Sequence, residues 1–490
     1  MKIQPEERAE ETLDPKDWEE FKRFAARVLE DMLSYQQNVR ERPVWTPLPE
    51  ASKAALRAGL SRGPVPLDEV YARFREHVLP YPTGNIHPRF WSWVSGTGSP
   101  LTMLAALMAS GMNSINLGFD EAASTHAELQ VVNWFKSIFG FPAEASGLLV
   151  SGGSMGNMVG LAVARATKAG YDVREEGVDI AARPRLMVYA STETHSSVQK
   201  AVELLGLGRR SYALIPVDEH YRIDLAALER RIQEDRAAGH RPICVVANAA
   251  TVNTGAVDDM SALADICARE DMWLHVDGAF GAAARLAPSV APLLAGMERA
   301  DSLTFDLHKW FYQPYNAGCV LVRRPLEHRG TFSVVPSYIK PLPGGVATGP
   351  FNFSEYGVQL SRSFAALPIW FSLQTEGLDK FGRLIEQNVR QAHYLAQRVE
   401  TEPMLELTAP TELNIVNYRY RGTGLDAKAL DDLNQRILIA LQERGIAAPS
   451  ATVLRGRFSI RVCITNHRTR REDLDALVAA TIDLGREFTQ

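Results

Sequence analysis

Cysteine is scarce in this chain of 490 residues, which contains only Cys244, Cys267, Cys319 and Cys463. The four stand far apart, and no two of them form a CxxC pair. Structural zinc sites and disulfide frameworks are built from closely spaced or paired cysteines. The sequence therefore predicts neither a structural zinc site nor a disulfide framework, and we expect no metal among the site residues.

An excess of basic residues and a long apolar run are also lacking. The net charge is −5, whereas general nucleic-acid-binding proteins carry a basic surface. The most apolar stretch, residues 101–112, is about half as long as a membrane-spanning helix. Residues 1–8 are charged and contain no apolar core of a signal peptide. We therefore expect a cytoplasmic protein that binds neither nucleic acid nor membranes.

What the sequence does contain is a lysine, Lys309, that follows a short apolar run. An earlier apolar segment begins at Trp273 and ends on Asp277. Burial removes water from an ammonium group and lowers its pKa, which would make Lys309 a nucleophile. The alternative is a solvent-exposed lysine at a strand end. An amine and a carboxylate at two strand ends suit pyridoxal phosphate (PLP), because the lysine forms a Schiff base with it and the aspartate keeps the ring nitrogen protonated.

Two short motifs carry a resemblance to a known family. Residues 275–279 (HVDGA) and 306–310 (DLHKW) resemble the group II PLP-dependent amino-acid decarboxylases, which include aromatic-L-amino-acid, histidine and glutamate decarboxylases. The resemblance runs from about Pro88 to the C-terminus. It implies a fold-type I enzyme that binds PLP through a Schiff base on Lys309 and releases CO₂ from an L-amino acid.

A glycine-rich turn lies in residues 147–157 (GLLVSGGSMGN), between an apolar run and a helical stretch. Glycine lets the backbone close on a phosphate, whose charge is then met by free N–H groups at a helix N-terminus. Such turns are common, and alone this one predicts little. With the lysine and the aspartate downstream, we predict that Gly152, Gly153 and Ser154 bind the phosphate of the cofactor. The sequence here has no GxxxxGK[ST] motif of a nucleotide-binding loop.

The resemblance also assigns the remaining cofactor contacts. His195, in residues 194–197 (THSS), matches the family histidine that stacks on the cofactor ring, although a lone histidine in a polar turn is often a solvated surface group. Thr251 matches a residue whose hydroxyl lies near the ring. Ala279, Asp306 and His308 complete the expected set.

Strands alternate with helical stretches from about residue 145 to residue 325, which indicates βαβ units and a mainly parallel sheet with its site at the carboxyl ends of the strands. The resemblance implies an α/β fold-type I enzyme with seven strands in this sheet. We predict an N-terminal helical arm over 1–86, a PLP-binding large domain over 87–385 and a small α+β domain over 386–490. An amphipathic helix is predicted within residues 16–40.

The expected substrate contacts also come from the resemblance. Trp93 and Val94 match the substrate-pocket segment of the family, although aromatic residues there are also typical of core packing. Asn116 and Gly118 match a segment that reaches the partner subunit's site, which implies a homodimer with shared active sites. Animal aromatic decarboxylases carry Tyr and Phe in place of Trp93 and Val94, an apolar residue in place of Asn116, and commonly Asn-Pro in place of residues 306–307. Trp93 still favours an aromatic or bulky apolar side chain.

Decarboxylation is predicted over other PLP reactions by three matches to the decarboxylase branch, namely residues 308–310, His195 and Tyr338. Tyr338 lies in a loop rich in proline and glycine and matches the tyrosine that protonates Cα after CO₂ leaves. The alternatives are an aldehyde-forming oxidative deaminase, an aminotransferase, a decarboxylase of a non-aromatic amino acid, or a family member that only binds. The presence of Lys309, Asp277 and His195 argues against the last of these.

Overall fold

The structure is a computed structural model that describes residues 11–179, 181–422 and 424–490. The chain forms two compact units, residues 1–42 and 43–490. The first unit is built on helix α1 (Trp18–Gln37), which begins where the Asp17 carboxylate accepts hydrogen bonds from two backbone N–H groups of the first turn. This helix lies within the predicted range of 16–40. None of its side chains is buried.

The second unit contains helices, a large central sheet and a smaller sheet near the C-terminus. Its α-helices are α2 (Glu50–Leu56), α3 (Leu67–His77), α4 (Pro100–Met112), α5 (Ala123–Ile138), α6 (Gly153–Lys168), α7 (Val173–Glu176), α8 (Ser196–Leu204), α9 (Leu225–Ala237), α10 (Met260–Arg269), α11 (Pro325–Phe332), α12 (Ala366–Glu376), α13 (Leu378–Thr401), α14 (Ala427–Glu443) and α15 (Arg471–Thr489).

The strands of this unit fall into the two sheets. They are β1 (Phe90–Trp91), β2 (Ser146–Val150), β3 (Leu186–Ser191), β4 (Tyr212–Ile215), β5 (Arg241–Asn248), β6 (Trp273–Asp277), β7 (Ser302–Asp306), β8 (Gly318–Val322), β9 (Leu405–Leu407), β10 (Ile415–Tyr420), β11 (Ala448–Leu454) and β12 (Arg457–Cys463).

The large sheet has seven strands in the order β2-β8-β7-β6-β5-β3-β4. Only β8 runs antiparallel to its neighbours, β2 and β7, and the other pairs are parallel. Strand β3 and residues 242–248 of β5 are mostly apolar and are buried on both faces, as expected of a parallel sheet covered by helices. The predicted α/β fold with a mainly parallel seven-stranded sheet is therefore confirmed.

The small sheet has the order β1-β11-β12-β10-β9. Strand β1 pairs with β11 in parallel, and Phe90 is in register with Ala448. A segment that precedes the whole large sheet in sequence is thus held by the C-terminal sheet. The two compact units divide the chain after residue 42. This division does not test the predicted domain boundaries at residues 86 and 385, which stay predictions.

All four cysteines are buried thiols. The described part of the chain has no helix that is both long enough and apolar enough to cross a bilayer. It also holds no group of three acidic, histidine or cysteine side chains arranged around a common metal position.

Candidate active site

A cavity of about 560 Å³ opens at the carboxyl ends of the large-sheet strands. It is bounded by the turn between β2 and α6, by the ends of β6 and β7, and by a wall segment that we define as residues 93–94. The predicted residues that line it are Trp93, Val94, Gly152, Gly153, Ser154, His195, Asp277, Ala279, Asp306, His308 and Lys309.

The two glycines in the turn at the start of α6 are closely packed and leave little room for a side chain. Gly152 has φ +155°, and a Cβ there would lie 3.2 Å from Cε1 of His308. A Cβ on Gly153 would lie 3.1 Å from Oδ2 of Asp306. The N–H groups of Gly153 and Ser154 come before the first hydrogen bonds of α6, in which the N–H groups of Met155 and Gly156 donate to the carbonyl of Gly152, and both residues line the cavity. Helix N-termini of this kind bind phosphate groups, so the turn fits the phosphate of PLP.

Asp277 is held at the end of β6 by neutral donors. Its Oδ2 accepts a hydrogen bond of 2.8 Å from Nδ2 of Asn157, and its Oδ1 accepts one of 3.1 Å from the N–H of Ala279. The side chain lines the cavity although the residue is 5% exposed. A carboxylate fixed in this way has the chemistry needed to keep a pyridine nitrogen protonated.

A buried chain of hydrogen bonds lies behind Asp277. Nε2 of His275 donates to Oδ1 of Asn157 at 2.9 Å, which turns the amide N–H₂ of Asn157 towards Asp277. Nδ1 of His275 accepts from the hydroxyl of Ser302 at 2.7 Å, and that hydroxyl accepts from the indole of Trp273. Burial outweighs the nearby Asp277 charge and lowers the pKa of His275 to about 4. The imidazole is therefore neutral at pH 7.

His195 joins the same chain of hydrogen bonds through Ser197. Its Nδ1 accepts hydrogen bonds from the backbone N–H and the hydroxyl of Ser197, at 3.2 and 2.8 Å. Because Nδ1 is an acceptor, the neutral ring carries its proton on Nε2. Burial lowers the pKa of His195, which favours this neutral form. The Ser197 hydroxyl also accepts from Asn157, so Asn157 connects the His195 and Asp277 branches.

Lys309 forms a close ion pair with Asp306, and its Nζ lies 2.8 Å from Oδ2 of that residue. Burial alone would lower the pKa of Lys309. The charge and hydrogen bond of Asp306, together with the charge of Asp277 and a contribution from Tyr315, instead raise that pKa above its ordinary value. The expectation that burial leaves Lys309 with a lowered pKa is therefore wrong, because it overlooked a carboxylate three residues earlier.

Four predicted site residues lie outside the lining of the cavity. Thr251 is buried, and its hydroxyl contacts that of Thr254 at 2.9 Å. Asn116 is fully buried and donates to Glu128 at 2.7 Å. Gly118 packs against residues 352–353, and Tyr338 is 74% exposed. Their predicted roles stay predictions.

Several lining residues were missed by the sequence reasoning. The ring of Tyr315 lies 4.4 Å from that of His308, and its hydroxyl accepts a hydrogen bond from the N–H of Gly96. Arg461, on β12, donates to the backbone carbonyls of Trp93, Val252 and Asn253 and thereby fixes the wall segment. Arg461 stands between two apolar residues of a strand, and this pattern is the sequence signal from which a buried arginine could have been predicted.

The comparisons with known proteins agree with this geometry. Residues 49–421 match the family described as the pyridoxal-dependent decarboxylase conserved domain. The chain belongs to this family. It is 39% identical to the aromatic-L-amino-acid decarboxylase of Bacillus atrophaeus over 79% of each chain. It is 27% identical to the histidine decarboxylase of Rattus norvegicus, over 94% of this chain and 70% of the relative.

A solved structure extends the similarity to the whole fold. The crystal structure of Oryza sativa TDC with PLP and tryptamine has a TM-score of 0.89 and 26% identity, covering 98% of this chain and 100% of that one. The protein is thus a PLP-dependent amino-acid decarboxylase of fold type I. The tight glycine turn and the amine and carboxylates around the cavity fit that cofactor.

Proposed function

We propose that the enzyme converts an aromatic L-amino acid into the corresponding amine and CO₂. The observation that carries the proposal is the aromatic and apolar wall formed by Trp93, Val94 and Tyr315 on the cavity that also contains Lys309. The wall is held in place by Arg461 and by the Tyr315 hydroxyl. The name of the Bacillus relative gives the same substrate class.

The roles of the residues around the cofactor follow from their chemistry. Lys309 would bind PLP covalently, Asp277 would keep the ring nitrogen protonated, and His195 would lie against the ring with its Nε2–H available to the substrate. The turn at residues 152–154 would hold the phosphate. When bound, PLP withdraws electrons from Cα of the amino acid, so that the carboxylate can leave as CO₂.

The substrate proposal is tested with a panel of the twenty L-amino acids, measuring CO₂ and amine. We expect kcat/KM for the aromatic members to exceed that for glutamate by at least about 10³, since the wall formed by Trp93, Val94 and Tyr315 has no cation to pair with a side-chain carboxylate. Glutamate or another non-aromatic amino acid as the preferred substrate would overturn the aromatic assignment. An aminotransferase would instead form an α-keto acid and release no CO₂.

Tyr338 separates amine formation from aldehyde formation. We propose that its phenol donates the proton that Cα needs once CO₂ has left, while its loop excludes water. Tyr338→Phe should slow amine release by at least about 10-fold and divert turnover to aldehyde, ammonia and hydrogen peroxide. An oxygen electrode beside amine chromatography measures both products.

Tyr315→Phe is the matched control, because Tyr315 is a phenol that already lines the cavity. We expect it to change KM and to leave the ratio of amine to aldehyde as it is. Diversion by Tyr315→Phe alone would transfer the proton-donor role to that residue. Stoichiometric oxygen uptake by the wild type would favour the aldehyde-forming reaction.

We further propose a homodimer with shared active sites. Leu107, Met108, Met112 and Ile115 on or beside α4 are 41–61% exposed, and they lead directly into residues 116–118. Several exposed apolar side chains so close in sequence favour a protein partner. In the other unit, α1 also has unburied apolar side chains.

The dimer is tested by light scattering of full-length variants. Met112→Glu should raise the monomer fraction and lower activity together, since it places a charge in the proposed interface. Leu204→Glu is the control, because Leu204 is 73% exposed on a different helix, α8. A wild type that is fully active as a monomer would contradict the proposal.

A further inference from the structure

The two carboxylate oxygens of Asp306 have very different surroundings. Oδ2 lies 2.8 Å from Nζ of Lys309 and 3.8 Å from Nε2 of His308. Oδ1 is buried and has no hydrogen-bond partner among the described residues. It faces Gly152 and Gly318, where added Cβ atoms would lie 3.4 and 2.9 Å away. The carboxylate thus depends on Lys309 for its stabilisation.

His308 does not supply that stabilisation as a cation. Burial lowers its pKa, and its Nδ1 lies 2.7 Å from the carbonyl oxygen of Ala317. The side chain of Asp306 is 3% exposed, so solvent screens the pair with Lys309 only weakly. Four other titratable groups interact with the charge of Lys309, namely Asp277, His195, Tyr315 and Cys463.

We propose that Asp306 is a positioning residue that holds Lys309 as an ammonium ion and thereby limits how fast its amine reacts with the carbonyl of the cofactor. The proposal rests on the assignment of Lys309 as the cofactor-binding lysine. In that reaction the ammonium first gives up a proton. The amine nitrogen then forms a C=N bond with the carbonyl carbon, and the carbonyl oxygen leaves as water.

This role differs from a direct contact with the phosphate. An ionised carboxylate only accepts hydrogen bonds, and so do the oxygens of a phosphate dianion. Asp306 beside the phosphate would therefore repel it, whereas Asp306 beside an ammonium attracts it. The two roles predict different results for a carbonyl compound that lacks the phosphate.

The test uses the full chain, stripped of cofactor by a competing amine, and the isosteric variant Asp306→Asn. The probes are PLP and 5-deoxypyridoxal, which keeps the aldehyde and the ring but has no phosphate. Bonds formed with lysine are trapped with borohydride, and mass spectrometry gives the initial rate at each lysine from pH 6 to pH 10. Lys309→Ala identifies the peptide, and thermal unfolding checks that each variant is folded.

Lys168 provides an internal control in every sample. Its Nζ pairs with Asp271 at 2.6 Å, far from Asp306 in sequence and outside the cavity lining. The rate at Lys168 should be the same in wild type and in Asp306→Asn, and it should rise only in Asp271→Asn.

We expect Asp306→Asn to increase the rate at Lys309 for both probes, by about 10-fold at pH 7.5 for each unit that the pKa of the amine falls. Acceleration with PLP alone would show that Asp306 acts on the phosphate and would overturn the proposal. Equal rates for wild type and variant with both probes would overturn it as well. A lysine other than Lys309 that is labelled faster than Lys309 in wild type would overturn both this proposal and the assignment of Lys309.

Wild type alone gives a second measurement if the variant fails to fold. The rate of labelling of Lys309 should rise up to pH 10 without an inflection, because an ordinary lysine titrates at about 10.4 and Asp306 favours the ammonium form further. An inflection below the ordinary value would overturn the proposal.

Discussion

Asp277 and Asp306 end two neighbouring parallel strands, β6 and β7, and both face the same cavity, yet their partners differ. Neutral donors, Asn157 and the N–H of Ala279, hold Asp277, so its charge remains available to a bound cation. The ammonium of Lys309 already neutralises Asp306. The partner, rather than the place in the sheet, therefore decides what each carboxylate can do.

Among the variants of these residues, Asp277→Ala should reduce activity the most. We expect the variant to retain some PLP and to lose about 10³-fold or more in kcat, because an unprotonated ring nitrogen withdraws electrons poorly. Cofactor absorbance and steady-state kinetics give the two quantities. Asp301→Asn is the control, since it removes a carboxylate just before β7, at the opposite end from the cavity, and it should leave kcat within about 3-fold.

Asp277→Asn gives a further test of the same idea, because it retains the shape and loses the charge. It should be nearly as inactive as the alanine variant. An asparagine variant with normal kcat would show that hydrogen bonding alone is sufficient at this position.

Asn157→Ala should have a smaller effect, since it loosens Asp277 without removing it. The change deletes hydrogen bonds to Asp277, Ser197 and His275, and leaves buried groups unpaired at a cost of about 1–3 kcal/mol. We expect kcat to fall by about 10-fold, with a lower thermal midpoint. The double variant Asp277→Ala/Asn157→Ala should lose little more activity than Asp277→Ala, because the amide acts through the carboxylate.

Additive losses in that double variant would contradict the arrangement. They would mean that Asn157 contributes to activity by a route independent of Asp277.

The sequence allowed the two strand ends to be predicted because their signal is local. An apolar run followed by a chemically active side chain places Lys309 and Asp277 at one edge of a parallel sheet. The Asp306–Lys309 pair is equally local. The prediction for Lys309 rests on burial alone, however, and therefore gives the wrong direction for the shift of its pKa. The network through Asn157 depends on how α6 packs against β6. This packing cannot be predicted from the spacing of apolar residues along the sequence.

The wall of the cavity could not be placed from sequence for a different reason. Phe90 pairs with Ala448, and Arg461 reaches Trp93, across more than 350 residues of chain. Register between such distant segments is set by tertiary packing rather than by local pattern. The packing is closest at Gly96, where an added Cβ would lie 1.5 Å from the carbonyl oxygen of His308.

The smallest expected effect concerns His275, which supports the Asp277 branch from behind. Burial lowers its pKa to about 4, whereas an unfolded histidine titrates near 6.5. The unfolded chain therefore binds a proton first, and the stability that His275 contributes above pH 6.5 is lost as the pH falls towards 4. Between pH 7.5 and pH 5 this loss is about 2 kcal/mol.

His275→Gln keeps an N–H donor for Asn157 and removes the titration. We expect its thermal midpoint to fall less between pH 7.5 and pH 5 than that of wild type, even if it is lower at pH 7.5. Part of the acid sensitivity should remain, because burial also lowers the pKa of His328 and of His467 to about 4. His220→Gln, at an exposed histidine, is the control and should follow wild type at both pH values. An unchanged difference in His275→Gln would mean that Asp277 is not supported by a neutral histidine, and the contrast with the ion-paired Asp306 would then need another cause.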